Sequence, residues 1–239
     1  EQHAMGVFSA RLRLNGHDHY TIPDEYGGPN GLVGWVHTFF QINPLLPPSK
    51  YFKDHPEWYS LIDGKRQYER AQLCLTNEEM RAEMIRVVSE RLRANPGATM
   101  ISVSQNDWRG NCQCDKCRAI DEREGTPAGS LIDFVNAIAA GIEPEFPDIK
   151  VETLAYQYTR QPPKNIRPRH NVVVRLCSIE CSFCETLEAG EQNVKFREDV
   201  EGWSRIAPHI YIWDYVTNFR SYLIPHPNYH VLAPNIRYF

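Results

Sequence analysis

Five short clusters of polar and aromatic residues each follow an apolar run. They are His37-Thr38, Gln105-Asn106-Asp107-Trp108, Tyr156-Gln157-Tyr158, Ser178-Ile179-Glu180 and Trp213-Asp214-Tyr215. Three carboxylates stand among them: Asp107, Glu180 and Asp214. Two carboxyl groups beside one sugar can hydrolyse a glycosidic bond, one protonating the leaving oxygen and the other serving the developing oxocarbenium ion. Glu180 lies between Ile179 and Cys181, and apolar surroundings raise a carboxyl pKa and suit it to the acid role. Asp107 directly follows Asn106. Adjacent polar side chains of this kind can orient an N-acetyl group whose own oxygen attacks the anomeric carbon, so the expected catalytic set is Asp107, Asn106 and Glu180. Trp108 and Trp213 offer flat faces for a sugar ring, and His37, Tyr156, Tyr158, Asp214 and Tyr215 complete the expected substrate contacts. Each acid also has a plain structural reading: a solvated loop acid for Glu180, an N-cap for Asp107, a buried hydrogen bond for Asp214.

The seven cysteines form a second candidate group. Cys112, Cys114 and Cys117 make a C-x-C-x-x-C, and Cys181 and Cys184 make a C-x-x-C in a later loop on the same expected face. C-x-x-C is a usual half-site for tetrahedral zinc. Structural zinc, one or two disulfides and free buried thiols all remain open, and the odd number leaves at least one cysteine outside any internal pairing. No cysteine has a histidine beside it in sequence, which gives a catalytic thiol no support. His17-Asp18-His19 is a weak metal pair. No GxGxxG or GxxxxGK glycine pattern follows a strand, so a nucleotide cofactor is not indicated, and no cofactor is expected.

The positioning elements read as alternating strands and helices. Strands are expected over residues 5–14, 32–40, 72–75, 98–104, 149–158, 171–179 and 209–216. Thr76 or Asn77 caps a helix that runs to Ala94, where Asn95-Pro96-Gly97 stops it. Further helices are expected over 112–124, 130–146 and 194–206, with another beginning at 234–239. Trp35 and Trp203 are expected in the core, and Trp58 against a loop. Strands alternating with helices imply a parallel sheet. The expected fold is a (β/α)8 TIM-like barrel with about seven strands, incomplete at its C-terminal end, since a full barrel takes about 250 residues. An open doubly wound sheet is the competing architecture. In a barrel the residues at the carboxyl ends of strands build the active site, and all five clusters fall there.

Composition narrows the class. The chain has 239 residues, with 42% hydrophobic and 23% charged, enough apolar surface to fold. Its formal charge of −4 disfavours a general nucleic-acid binder, which needs a basic face. It contains no run of about 18 apolar residues that would span a membrane. Five Trp, twelve Tyr and ten Phe with 17 Pro suit shaped, aromatic-rich loops around a carbohydrate. The chain reads as a single domain over 1–239 and as a piece of a longer polypeptide with further domains, without a signal peptide of its own.

Several longer motifs carry a resemblance. They include His37-Thr38-Phe39, His55-Pro56-Glu57-Trp58, Gln72-Leu73-Cys74-Leu75-Thr76-Asn77 and Ser102 to Asp107 with the C-x-C-x-x-C behind it. Ala155-Tyr156-Gln157-Tyr158 and Trp213-Asp214-Tyr215 with Asn218-Phe219 continue the series. Together they resemble the domain-of-unknown-function family 4838, from about Arg11 to the end. The resemblance implies membership of the TIM-barrel glycosidases overlapping glycoside hydrolase family 163. The implied activity is endo-β-N-acetylglucosaminidase action on complex N-glycans, retaining and acetamido-assisted, in an exported protein of a glycan-degrading bacterium. The roles given to Asp107, Asn106 and Glu180 come from position, not from the family. A non-catalytic glycan-binding or degenerate barrel is the alternative, and a metal-dependent hydrolase using the Cys and His groups a third reading.

Overall fold

Helix and strand periodicity account for most of the architecture. The computed structural model describes residues 2–12, 22–28 and 31–239; His17-Asp18-His19 lies outside them. The described elements are α1 (Gln2–Arg11), β1 (Leu32–Val33), α2 (Pro48–Tyr51), β2 (Leu61–Ile62), β3 (Lys65–Arg66), α3 (Glu78–Arg93) and β4 (Met100–Ser102). Beyond them lie α4 (Asp115–Glu124), α5 (Ala128–Ile142), β5 (Lys150–Ala155), β6 (Val172–Cys177), α6 (Val194–Ile206), β7 (Ile210–Trp213) and α7 (Tyr229–Tyr238). None of the described helices is long and apolar enough to cross a membrane.

Five strands form one parallel sheet in the order β1-β4-β5-β6-β7, with Val151 opposite Val172 and Val174 opposite Ile210. The order runs in one direction without the reversal that defines a doubly wound switch point. The alternation of side chains explains the layers. Ile101, Val103, Val151, Val172, Val174 and Leu176 face the helices, in two clusters that include Met84 and Val88 of α3, Phe134 of α5, and Phe196 and Trp203 of α6. Leu154 and Cys177 face the other way, toward Val36, Tyr156, Trp213 and Tyr215. Helices α3, α5 and α6 thus pack on one face, and the other face holds the polar and aromatic residues. Among the described residues the sheet has five parallel strands and does not close into a (β/α)8 barrel.

Two expected strands are absent from it. Residues 5–11 belong to helix α1, because Phe8 and Leu12 sit one helical turn apart as readily as Phe8, Leu12 and Leu14 fit an alternation; Phe8 and Leu12 are exposed. Residues 72–75 make only a single bridge, Tyr59 to Leu73. The run 32–40 keeps two strand residues, since Gly34 and His37 take left-handed conformations, φ 75° and 56°, that turn the chain out of the sheet. Trp35 is not core: it is 37% exposed and lies 5.5 Å from Trp213. Trp203 and Trp58 are buried as expected. Pro234 lies inside α7, not at its start.

Asn77 is the N-cap of α3, its Oδ1 accepting from the Met80 N–H at 2.9 Å, with Glu78 and Glu79 complementing the positive end of the helix. Met80, Met84, Val88 and Leu92, spaced by four, form its buried stripe. Asn77→Ala is expected to lower stability by about 1 kcal/mol, and Asn77→Asp by much less, measured as a shift in the urea midpoint at constant slope.

Candidate functional site

A cavity of about 540 Å³ opens at the carboxyl ends of the strands, within the size range of small-ligand sites. Its floor is Val36, Leu154 and Cys177, and its aromatic wall comes from Trp213, Tyr215, Phe219 and Phe183. The rings are in contact, with Trp213 6.2 Å from Tyr215, and Tyr215 6.1 Å from Phe219. The wall arises from the sequence of the β7 exit, where Trp213 and Tyr215 alternate with Asp214 and so share one side. Burial pushes the Cys177 thiol up to about 12, which makes it a neutral part of the floor and not a nucleophile.

His37, Asp107 and Tyr156 are among the polar groups that line this cavity. The Tyr156 hydroxyl donates to Asp107 Oδ1 at 2.8 Å and accepts from Gln157 Nε2 at 2.8 Å. Burial first, then the bond to Asp107, push the phenol up to about 12, so it remains a donor at neutral pH. The Asp107 N–H donates to Gln41 Oε1 at 2.6 Å. His37 Nδ1 lies 2.7 Å from the Gln105 carbonyl. A carbonyl only accepts, so Nδ1 carries a proton and donates it to this bond, which leaves Nε2 outside it. His37 and Gln157 both hold left-handed backbones, φ 56° and 50°, a conformation that persists where surrounding structure enforces it. Buried Gln105 does so here, its carbonyl taking His37 and its Nε2 donating to Thr159 Oγ1 at 2.6 Å.

The structure divides the other expected site residues. Asn106 does not reach the cavity: it is buried, and its amide ties Phe40 N–H at 3.2 Å to the Ala71 carbonyl at 3.0 Å. Trp108 turns to another groove and donates its indole N–H to the Ala71 carbonyl at 2.7 Å. Asp214 accepts from Ser178 Oγ at 2.9 Å and from the Tyr215 N–H at 3.1 Å, as a structural cap on the sheet edge. Glu180 and Tyr158 line a separate polar cleft. Glu180 pairs with Arg160 at 2.6 Å, and Arg160 also binds Asp199 at 2.6 Å. The cause is local: Ile179 takes the cavity-facing position after β6, and the next side chain turns toward the helices.

Sequence reasoning missed Gln41, Phe183, Phe219 and His226, all at or beside the cavity. Phe219 had a signal, the Asn218-Phe219 pair behind the aromatic β7 exit. Gln41 had none, because its role depends on a loop returning to Asp107.

The cysteines also regroup. Cys181 and Cys184 do not meet the C-x-C-x-x-C. Cys181 is buried beside Phe196 and Trp203, where burial pushes its thiol up to about 12, and Cys184 is exposed. Cys74 takes the place expected for them: the Sγ atoms of Cys74, Cys112, Cys114 and Cys117 all lie within 4.8 Å of one another. All seven cysteines are free of disulfides. A second possible ligand group, His55, Glu57 and Glu79, lies on the surface, where His55 Nδ1 and Glu57 Oε1 are 3.4 Å apart and half-exposed.

These features define an α/β protein with a parallel sheet wound in one direction and an aromatic cavity at its carboxyl edge. The chain belongs to the family described as Domain of unknown function (DUF4838), which matches it over residues 6–239. No curated protein and no solved structure matches it.

Proposed function

We propose that this chain acts on carbohydrate as a glycoside hydrolase of the endo-β-N-acetylglucosaminidase type, cleaving complex N-glycans with retention and acetamido participation. The observation that carries the reading is the Tyr156–Asp107 pair, 2.8 Å apart, in a cavity walled by Trp213, Tyr215 and Phe219. The wall is suited to stacking on the apolar face of a pyranose ring. Asp107 Oδ2, the oxygen not bound to Tyr156, is suited to accept from an acetamide N–H. The Tyr156 hydroxyl beside it is suited to stabilise charge as the acetamide oxygen attacks. Aligning that internal nucleophile converts the step into a unimolecular one. As the acetamide oxygen bonds to the anomeric carbon the glycosidic C–O bond breaks, and His37 Nε2, on a ring that lines the same cavity, is suited to deliver the proton that the leaving oxygen takes up.

A second reading is a glycan-binding barrel without turnover. The placement of Glu180 favours it, because the Arg160 pair keeps that acid from the cavity, whose lining carries one carboxylate, Asp107. The two readings separate in one experiment. The protein is incubated with a complex N-glycoprotein, and both products are weighed by mass spectrometry. Release of the glycan with one GlcNAc left on the protein is expected. Saturable binding without release would establish the second reading instead, and neither binding nor release would reject both.

A further inference from the structure

We propose that Cys74, Cys112, Cys114 and Cys117 form a structural tetrathiolate zinc site that anchors the loop carrying Asp107. It stands independently of the carbohydrate reading.

The donor geometry supports it. Zinc in a tetrahedral thiolate site has bonds of about 2.3 Å, which places its sulfurs about 3.8 Å apart. Cys74 Sγ and Cys114 Sγ are 3.7 Å apart, and all four sulfurs fit within 4.8 Å. A disulfide would need about 2.05 Å. Four protein ligands fill the coordination sphere, so the site suits a structural ion and leaves no open catalytic position.

The surroundings suit a charged centre. Zinc with four thiolates carries a net double negative charge, which needs donors around it. The Leu61 N–H donates to Cys112 Sγ at 3.3 Å, the Thr76 hydroxyl lies 3.2 Å from Cys117 Sγ, and the Arg66 guanidinium lies 3.8 Å from Cys112 Sγ. Cys114 is the N-cap of α4 and Cys117 lies in its first turn, so both sulfurs sit at the positive end of that helix.

The local fold needs such a link. Strands β2 and β3 are two residues each, and an isolated hairpin is marginal even when longer. The cluster beneath them consists of Cys74, Cys112 and Cys117 with Leu61 and Cys114, so sulfur is most of its substance. Small units with little core are commonly held by metal. Here the ion would join the segment that carries Cys74, the loop at Cys112 and the start of α4, with the hairpin attached through the Leu61 N–H and Arg66. The same segment holds the Asp107 loop, through Gln72 Nε2 to the carbonyls of Asn106 at 3.1 Å and Trp108 at 2.6 Å. Gly110, with φ 95°, lets the two segments touch, since a Cβ there would drive into the Arg70 carbonyl.

The test is metal content of the full chain, prepared anaerobically with zinc and freed of loosely bound ions. About one zinc per chain is expected. Addition of a strong chelator should make four further cysteines reactive toward a thiol reagent. Cobalt exchange should give the absorption of a tetrahedral tetrathiolate. Cys74→Ser should lose the tight ion, whereas Cys181→Ser and Cys184→Ser should keep it. Because Cys74→Ser can fail to fold, the wild-type stoichiometry and the cobalt spectrum decide. No retained metal, iron in place of zinc, or disulfides among these four cysteines in the anaerobic protein would each overturn the proposal. A metal-bound protein inactive on glycans would leave it standing.

Discussion

Asp107→Asn is expected to lower glycan release by about 10²–10³-fold while changing glycan affinity by less than about tenfold. The carboxylate is invoked at the moment the acetamide oxygen attacks, when the nitrogen gains positive character. An amide of the same shape keeps the position and loses the charge, and interactions stronger in the transition state than in the ground state appear in kcat. Tyr156→Phe should act in the same direction and by a similar factor, since it removes the donor 2.8 Å from Asp107 Oδ1. The two losses should be far from additive, because each variant disables the same pair. Glu180→Gln is the informative control. Its carboxylate lies on Arg160 and is 43% exposed, so its removal should change turnover only a few-fold. A full loss in Glu180→Gln with normal turnover in Asp107→Asn would reverse the assignment and require the loop after β6 to swing inward. Single-turnover kinetics with isothermal binding on each variant gives both quantities.

The sequence revealed where chemistry would gather more readily than which side chains would take part. Carboxyl-end clusters were legible because apolar runs such as Val172–Cys177 are buried along their whole length, and the residues directly after such a strand must emerge at its edge. Helix α6 matched its expected span, 194–206, because Phe196 and Trp203 fix its buried face. Side-chain direction past the last ladder bond was not legible. One residue decides whether Ile179 or Glu180 faces the cavity, and loop dihedrals set that choice. Left-handed positions at His37 and Gln157 were hidden for the same reason, as neither is a glycine. The cysteine group failed differently. C-x-x-C spacing marks a half-site, but the chain between half-sites has no fixed length, and Cys74 stands alone in sequence. Only the return of 105–114 across Gln72 brings it to Cys114.

Arg175→Met is expected to destabilise the fold by about 3–5 kcal/mol at neutral pH, the usual cost of stranding one member of a buried ion pair. Arg175 Nε lies 2.9 Å from Glu152 Oε1, with Arg175 7% and Glu152 0% exposed. The guanidinium also lies 5.5 Å from the Trp35 ring and 5.6 Å from Trp213, so it supports the aromatic wall from below. Burial pushes the Glu152 carboxyl up, and Arg175 is the main influence drawing it down. Without Arg175 the folded-state pKa rises further, while the unfolded value stays near about 4.3. Below that value both states are protonated and the variant bears little electrostatic penalty. As pH rises, the unfolded chain ionises first and binds fewer protons than the folded one, so folding loses stability. The gap between wild type and Arg175→Met should therefore be smallest near about pH 4 and widen toward neutrality. Pairing it with Glu152→Leu removes the stranded charge and should recover most of the loss. Urea unfolding of the single and double variants across that range measures both effects. A pH-independent gap, or no recovery in the double variant, would mean that Arg175 acts by filling space among Trp35, Tyr211 and Trp213, and not by neutralising Glu152.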